Sequence, residues 1–208
     1  MTESVVIIGA GNFAKQVIDV FELTGIKIKG CIDDHATGSL YNYPILGKID
    51  YLESDKNSIL FCGIGDVKAR EKFYNSLFQR KWINCIHPSA QISKHTLTGV
   101  GNYIGPNVSI MPGVNLGNNN IVDPAVVLSH DCTIGDNNHF AAFSCLLGSI
   151  KVGSRNLFGS HAVVLPKLIV GNRNILGAGA VITKSIDDDH KMIGIPAKDM
   201  SLKVSDKI

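Results

Sequence analysis

A triangular parallel β-solenoid behind a small α/β domain is the fold that this sequence predicts, and three patterns predict it. Counting from Ile86 in steps of six reaches Ile92, Thr98, Ile104, Ile110, Leu116 and so on to Ile182, and only Thr98 breaks the apolar run. Gly99, Gly117, Gly135, Gly153 and Gly171 recur every eighteen residues, as do Asn102, Asn120, Asn138, Asn156 and Asn174. Ahead of this register, short apolar runs alternate with helical spacing, the mark of a parallel sheet covered by helices.

The six-residue period fits neither a helix, near 3.6, nor a flat strand, at 2. It fits short strands joined by tight turns, with one bulky side chain per step turned inward. Three sixes make one coil of eighteen, so the prism has three sides and about five coils. Gly and Asn at recurring positions predict corners that need a positive φ, and the Asn column can stack amide on amide. A β-sandwich has no reason to hold one register through so many steps.

Composition narrows the function. The chain has 208 residues and a net charge of +2 with mixed signs, which argues neither a nucleic-acid groove nor an anionic membrane surface. No apolar run reaches transmembrane length. Strand-like residues begin at Val5, which leaves no room for a leader, so a cytoplasmic protein is expected. The five cysteines form no CxxC pair and read as reduced core thiols.

The first domain is expected over 1–84, with the solenoid and a C-terminal tail over 85–208. Val5–Ile8 reads as a buried strand, followed directly by Gly9-Ala10-Gly11-Asn12-Phe13-Ala14 and a helix that Gly25 closes. Ile26–Ile32 reads as a second strand ending in Asp33-Asp34. Ser58–Ile64 reads as a third, leading into Gly65-Asp66 and a helix through Ala69, Phe73 and Leu77. The G-x-G-x-x-A stretch can bring backbone N–H groups to a diphosphate at a helix N-terminus, and a carboxylate after the next strand can hold a ribose. The same glycines can simply make a tight turn. An NAD site is the nearest specific reading, yet a domain of about 80 residues is half of the usual dinucleotide fold and suits one nucleotide diphosphate better.

Within the coil, Ser129-His130-Asp131-Cys132 and His139 are chemically unusual. His130 and Asp131 follow the inward Leu128, and His139 precedes the inward Phe140. A neighbouring His and Asp can act as general base and orienting carboxylate. They can also be ordinary surface residues. A metal site usually asks for three ligands, and thirty-six residues on, His87 and His95 meet Asp123 and Asp131 and not histidines, so no metal is expected. His87, at the entry to the coil, reads as structural. Cys132 falls at an inward, small-residue position and is a poor candidate nucleophile.

These residues carry a family resemblance that spans nearly the whole chain. The six-residue repeats resemble the hexapeptide-repeat acyltransferases. The Gly9–Gly11 loop, Asp33-Asp34, Gly63–Asp66 with Arg70, the Ser129–Cys132 block and the closing Gly194–Lys198 resemble the bacillosamine-type UDP-4-amino-sugar N-acetyltransferases, cousins of the sialic acid O-acetyltransferases. The resemblance implies a left-handed β-helix and a homotrimer with acetyl-CoA lying between adjacent solenoids. It implies acetyl transfer to the amino group of a nucleotide-linked sugar, with the nucleotide held by Gly9, Gly11, Asn12, Phe13, Asp33, Asp34, Gly65 and Asp66. It makes His130 the general base and Asp131 its acidic neighbour. His139, Gly148, Ser160, Gly177 and Ala178 are implied around acetyl-CoA, with Gly148 offering a backbone N–H to the acetyl carbonyl. Two positions depart from the family pattern: Phe13 stands where a close relative has His, and Asp131 where the family usually has Glu. Transfer to a sugar hydroxyl is the nearest alternative. An NAD-dependent oxidoreductase lacks a second nucleotide half, and a non-enzymatic solenoid would want an outward Thr ladder that the sequence does not have.

Overall fold

The structure, a computed structural model, describes residues 4–201. The first domain is built on a parallel sheet of β1 (Val5–Ile8), β2 (Ile28–Ile32), β4 (Tyr43–Gly47) and β5 (Ile59–Cys62), edged by the antiparallel β3 (Ser39–Leu40), in the order β3-β4-β2-β1-β5. Helices α1 (Asn12–Leu23), α2 (Tyr51–Ser54) and α3 (Val67–Ser76) cover it. The alternation of each strand sorts its side chains between two cores. Val5, Ile7, Ile59 and Phe61 pack with α1 on one face, while Val6, Ile8, Leu60 and Cys62 pack with Leu52, Phe73 and Trp82 on the other. The β3–β4 hairpin has no counterpart in the expected elements. Its Pro44 and Gly47 resemble a loop, and the hairpin is held because β4 adds a parallel partner to β2.

The solenoid begins with Cys85–Ile86. Its two-residue strands stack into three walls. The first wall runs from Cys85–Ile86 through His139–Phe140 to Ile175–Leu176 and ends in Lys191–Ile193 and Lys198–Asp199. The second runs from Gln91–Ile92 through Val127–Leu128 to Val181–Ile182, and the third from Leu97–Thr98 to Ile169–Val170. Pairings between coils up to Ile182 join residues eighteen apart, as Ile121 with His139 and Ser109 with Val127, and the last joins, Ile175 with Lys191 and Val170 with Ile186, are sixteen apart. The six-step side chains from Ile104 to Ile182 are buried in one continuous core. Ile86 and Ile92 are half-buried, and Thr98 is exposed, because no coil precedes them at that end of the prism.

The Asn column forms a buried ladder. The Asn120 backbone N–H donates to Asn102 Oδ1 at 2.8 Å, Asn138 to Asn120 at 2.8 Å, and Asn156 to Asn138 at 2.9 Å. It starts on Asn84 and closes on the His190 N–H. The glycine column serves a different purpose from the one expected. Gly117 does not adopt a positive φ; a Cβ there would meet the Gly135 carbonyl oxygen at 2.8 Å, so the column permits close approach of successive coils. The left-handed corners lie elsewhere, one every six residues, and most are not glycine: Asn119, Ala125, Asp131, Asn137, Phe143 and Ser149 have φ between 53° and 64°. Each turns its N–H to a carbonyl of the preceding coil, as Ser149 to His130 at 2.9 Å, and this fixed stacking holds a conformation that L-residues seldom adopt.

The first domain sits on the first wall. Outward-facing Cys85, Tyr103 and Ile121 are buried in the same core as α1. The Phe13 ring meets Tyr103 edge-on, with centroids 5.1 Å apart. Arg155 Nε donates to Glu71 of α3 at 2.6 Å.

Candidate active site

The ends of β1, β2 and β5 enclose a cavity of about 260 Å³ lined by Gly9, Asp33, Asp34, Ile64 and Phe73. This is the carboxyl end of a parallel sheet, where such folds bind ligands. Gly9 has φ +97°, and a Cβ there would run into Ile64 at 2.6 Å, so the turn requires glycine. Asp33 shapes the cavity from within. Its carboxylate accepts the backbone N–H groups of Ala10 at 2.8 Å and of His35 and Ala36 at 2.9 Å. Burial alone would raise the Asp33 carboxyl; these donors instead hold it below the usual carboxylate range. Asp34 accepts the Ile49 N–H at 3.1 Å.

The remaining residues expected around a nucleotide lie outside that lining. Gly11 precedes α1 with open space at its Cα, and Asn12 is exposed on the first turn. Phe13 turns to the solenoid. Gly65 gives its carbonyl to Arg70 Nη1 at 3.0 Å, and Asp66 caps α3 by accepting the Ala69 N–H at 2.8 Å. Asp66 also borders a larger cleft, of about 730 Å³, between α3 and the later coils, with Leu157, Arg173 and Ile175 opposite.

On the solenoid, the expected residues divide between two edges of the prism. His130 follows the second-wall strand Val127–Leu128, on the edge shared with the third wall. His130 Nδ1 and Asp131 Oδ2 are 2.9 Å apart, and both side chains are more than half exposed. With Nδ1–H donating to the carboxylate, Nε2 carries the free lone pair. Gly148 is buried beneath this ring: a Cβ on it would lie 2.5 Å from His130 Cε1 and Nε2. The Gly148 N–H has no partner among the described residues. Cys132 is buried, and burial pushes its thiol up, away from the thiolate that a nucleophile needs.

His139 is in a first-wall strand, so the two histidines are not brought together within one chain. Its Nε2 lies 2.9 Å from Asp123 Oδ2, and both side chains are mostly buried, at 23% and 21% exposure. Asp123 was not among the expected site residues: it is sixteen positions before His139, a diagonal that an eighteen-residue column does not mark. Asp123 stands on the edge between the first and second walls. Ser160, Gly177 and Ala178 continue along the same edge, with a Gly159 Cβ position 2.5 Å from the Ala178 nitrogen. The chain therefore carries two half-sites, His130–Gly148 on one edge and His139–Ala178 on the other, separated by the second wall.

Known proteins match both parts of the chain. Residues 4–77 match the PglD N-terminal domain, and residues 113–148 match the bacterial transferase hexapeptide model. A histidine mutant of perosamine N-acetyltransferase from Caulobacter crescentus, crystallised with CoA and GDP-perosamine, superposes with a TM-score of 0.92 at 31% identity, covering 97% of this chain and 98% of that one. The acetyltransferase domain of PglB from Neisseria gonorrhoeae, in complex with acetyl coenzyme A, gives 0.91 at 26% identity, covering 96% and 100%. A curated relative, an uncharacterized protein of Acanthamoeba polyphaga mimivirus, is 42% identical over 108 residues, 51% of this chain but 22% of that protein. With full-length identity above 30% to one of these enzymes and both family models in order, the chain belongs to the hexapeptide-repeat sugar N-acetyltransferases with a PglD-type N-terminal domain.

Proposed function

We propose that the protein transfers the acetyl group of acetyl-CoA to the amino group of a nucleotide-linked amino sugar. The observation that carries this reading is the His130–Asp131 pair seated over Gly148, in a chain similar along its length to an enzyme crystallised with CoA and GDP-perosamine. The first-domain cavity holds the nucleotide, with Gly9, Asp33 and Asp34 at its wall and Gly11, Asn12, Phe13, Gly65 and Asp66 around its approach.

An amine with a pKa near about 8 is mostly ammonium at neutral pH, so a proton must leave before or during attack. That ammonium proton leaves to solvent, and His130 Nε2, its Nδ1–H held by Asp131, takes a second proton from the nitrogen as attack proceeds. The amine nitrogen bonds to the thioester carbon, and the carbonyl π electrons move to oxygen. A free backbone N–H such as that of Gly148 stabilises the oxyanion. Collapse breaks the C–S bond, and the proton on His130 passes to the leaving CoA sulfur. His139 and the edge from Ser160 to Ala178 hold the thioester and its pantetheine arm.

Because the half-sites lie on opposite edges of the second wall, they complete one another when the first–second edge of one copy meets the second–third edge of the next. Three copies with their second walls turned to a common axis bring this about three times and close the ring. From its third strand on, the outward column of that wall, Val127, Cys145, Val163 and Val181, is half-buried, small and apolar, as such packing needs. We therefore read the working form as a homotrimer, in the cytosol with its acetyl donor.

The test is incubation with acetyl-CoA and a panel of GDP- and UDP-linked amino sugars, following thiol release and the site of acetylation. Amide formation on a nucleotide sugar supports the reading. Release without an amide product, or an ester on a sugar hydroxyl, overturns it.

A further inference from the structure

Arg70 is the bulkiest fully buried side chain of the described residues, at 1% exposure, and no carboxylate lies within ion-pair distance of it there. Its guanidinium donates only to backbone carbonyls, and each comes from a different segment. Nη1 reaches Gly65 in the loop after β5 at 3.0 Å. Nε reaches Asn119 at 3.1 Å, and Nη2 reaches Asn138 at 3.3 Å. Gly65 lies between Ile64, which lines the nucleotide cavity, and Asp66, which caps α3. Asn138 immediately precedes His139. Its carbonyl already accepts the Ile121 N–H at 2.9 Å, so Arg70 is not needed to satisfy it.

An apolar side chain of this size would fill the space without the cost of burying a charge. Burial does weaken the guanidinium, pulling it down to about 10, which still leaves it protonated at neutral pH. A planar fork with fixed donors suits a different task, the holding of three backbone segments in one register.

We infer that Arg70 is a positioning residue: it ties the loop beside the nucleotide cavity to the solenoid backbone under His139, and so fixes where a ligand of the first domain meets the transfer site. The inference rests on the acetyl-transfer reading above. Arg70 is buried, and its donors are engaged by backbone carbonyls, so the residue acts through the loop and the coil.

A single tryptophan makes the tie observable without activity. The Trp82 ring lies tilted against Tyr74 of α3, with centroids 4.9 Å apart, and both rings lie against Gly101 of the solenoid. Arg70→Lys keeps the charge and loses the fork. It should lower kcat for the nucleotide amino sugar by about tenfold or more, as expected for misplaced reactants. The Kd values for GDP or UDP and for CoA, measured by calorimetry, should stay within about twofold, because each half keeps its own site. Acrylamide should quench Trp82 more readily. An unchanged kcat with unchanged quenching overturns the inference. So does a folded variant that loses both ligands in parallel with kcat, which would make Arg70 structural only.

Should Arg70→Lys fail to fold, Glu71→Gln releases the neighbouring Arg155 tie from the next residue of α3. It should raise Trp82 quenching and lower kcat, and no change in either overturns the inference. A native protein that acetylates no nucleotide amino sugar would sink the acetyl-transfer reading alone; Trp82 quenching and the two Kd values would still decide whether Arg70 sets the register.

Discussion

Gly148→Ala should damage the reaction without damaging the fold. The new Cβ would lie 2.5 Å from both Cε1 and Nε2 of His130. Carbon contacts are comfortable at about 3.5–4.0 Å, so the ring must retreat by about 1 Å. The imidazole can do so at little cost, because its side chain is 59% exposed and is the movable end of the contact. Stability should therefore change by no more than about 0.5 kcal/mol. A reacting group displaced by about 1 Å costs on the order of 10²-fold in rate, or about 2.7 kcal/mol of transition-state stabilisation. The alanine keeps the backbone N–H, so the loss is assigned to the base and not to the oxyanion. Thiol release at saturating acetyl-CoA and nucleotide amino sugar measures kcat, and a melting curve measures stability. A double-mutant cycle completes the test. In a His130→Ala background, Gly148→Ala should have almost no further effect, since the ring through which it acts is gone. Native kcat in Gly148→Ala, or an equal loss in the His130→Ala background, would refute the assignment of His130 as the base.

Three further outcomes follow from other parts of the molecule. Asn138→Ala removes a fully buried side chain whose Oδ1 accepts the Asn156 N–H and whose Nδ2 reaches Gly153 at 3.0 Å, and should cost about 3 kcal/mol in denaturant unfolding. Asp55 is held at a pKa of about 2: burial alone would raise it, but Lys29 Nζ at 2.6 Å and Ser58 outweigh burial. An unperturbed Asp titrates near about 3.9, so this stabilisation is complete above that pH and is lost as pH falls towards the folded value. Asp55→Asn should lower Tm at neutral pH and flatten its fall between those two values. Light scattering at micromolar concentration should give the mass of three chains, and a stable monomer would remove the proposed junction of half-sites.

Much of the fold was legible because a solenoid repeats its physics. The same inward slot recurs every six residues and must be filled each time, so Ile104 to Ile182 could be read without any contact being known. The glycine column was legible as a pattern but not as a cause. Sequence alone cannot separate a glycine that needs a positive φ from one that needs an absent Cβ. Gly117 proved to be the second kind, while Phe143 and Arg155 hold left-handed corners that composition would not assign to them. The β3–β4 hairpin was missed because its stability comes from pairing with β2 and not from its own residues.

The candidate site divides along the same line. Contacts between residues eighteen apart are foreseeable once the period is known, and His130 over Gly148 is one of them. The His139–Asp123 pair crosses the coil on a diagonal, sixteen apart, which no column reveals. Asp33 and Asp66 read as ligands because carboxylates beside a Gly-rich loop often are, yet in the folded chain their first partners are backbone N–H groups. Those bonds set the loop by themselves, so their loss would be felt first as a less ordered cavity. Arg70 was visible in the sequence as one of four arginines, on a helix where a charged residue normally faces solvent. Its burial against Asn119 and Asn138, 49 and 68 residues away, depends on two domains meeting, and neither domain's own pattern contains that information. What a periodic sequence encodes openly is the scaffold; what joins the scaffold to the first domain is written in single residues.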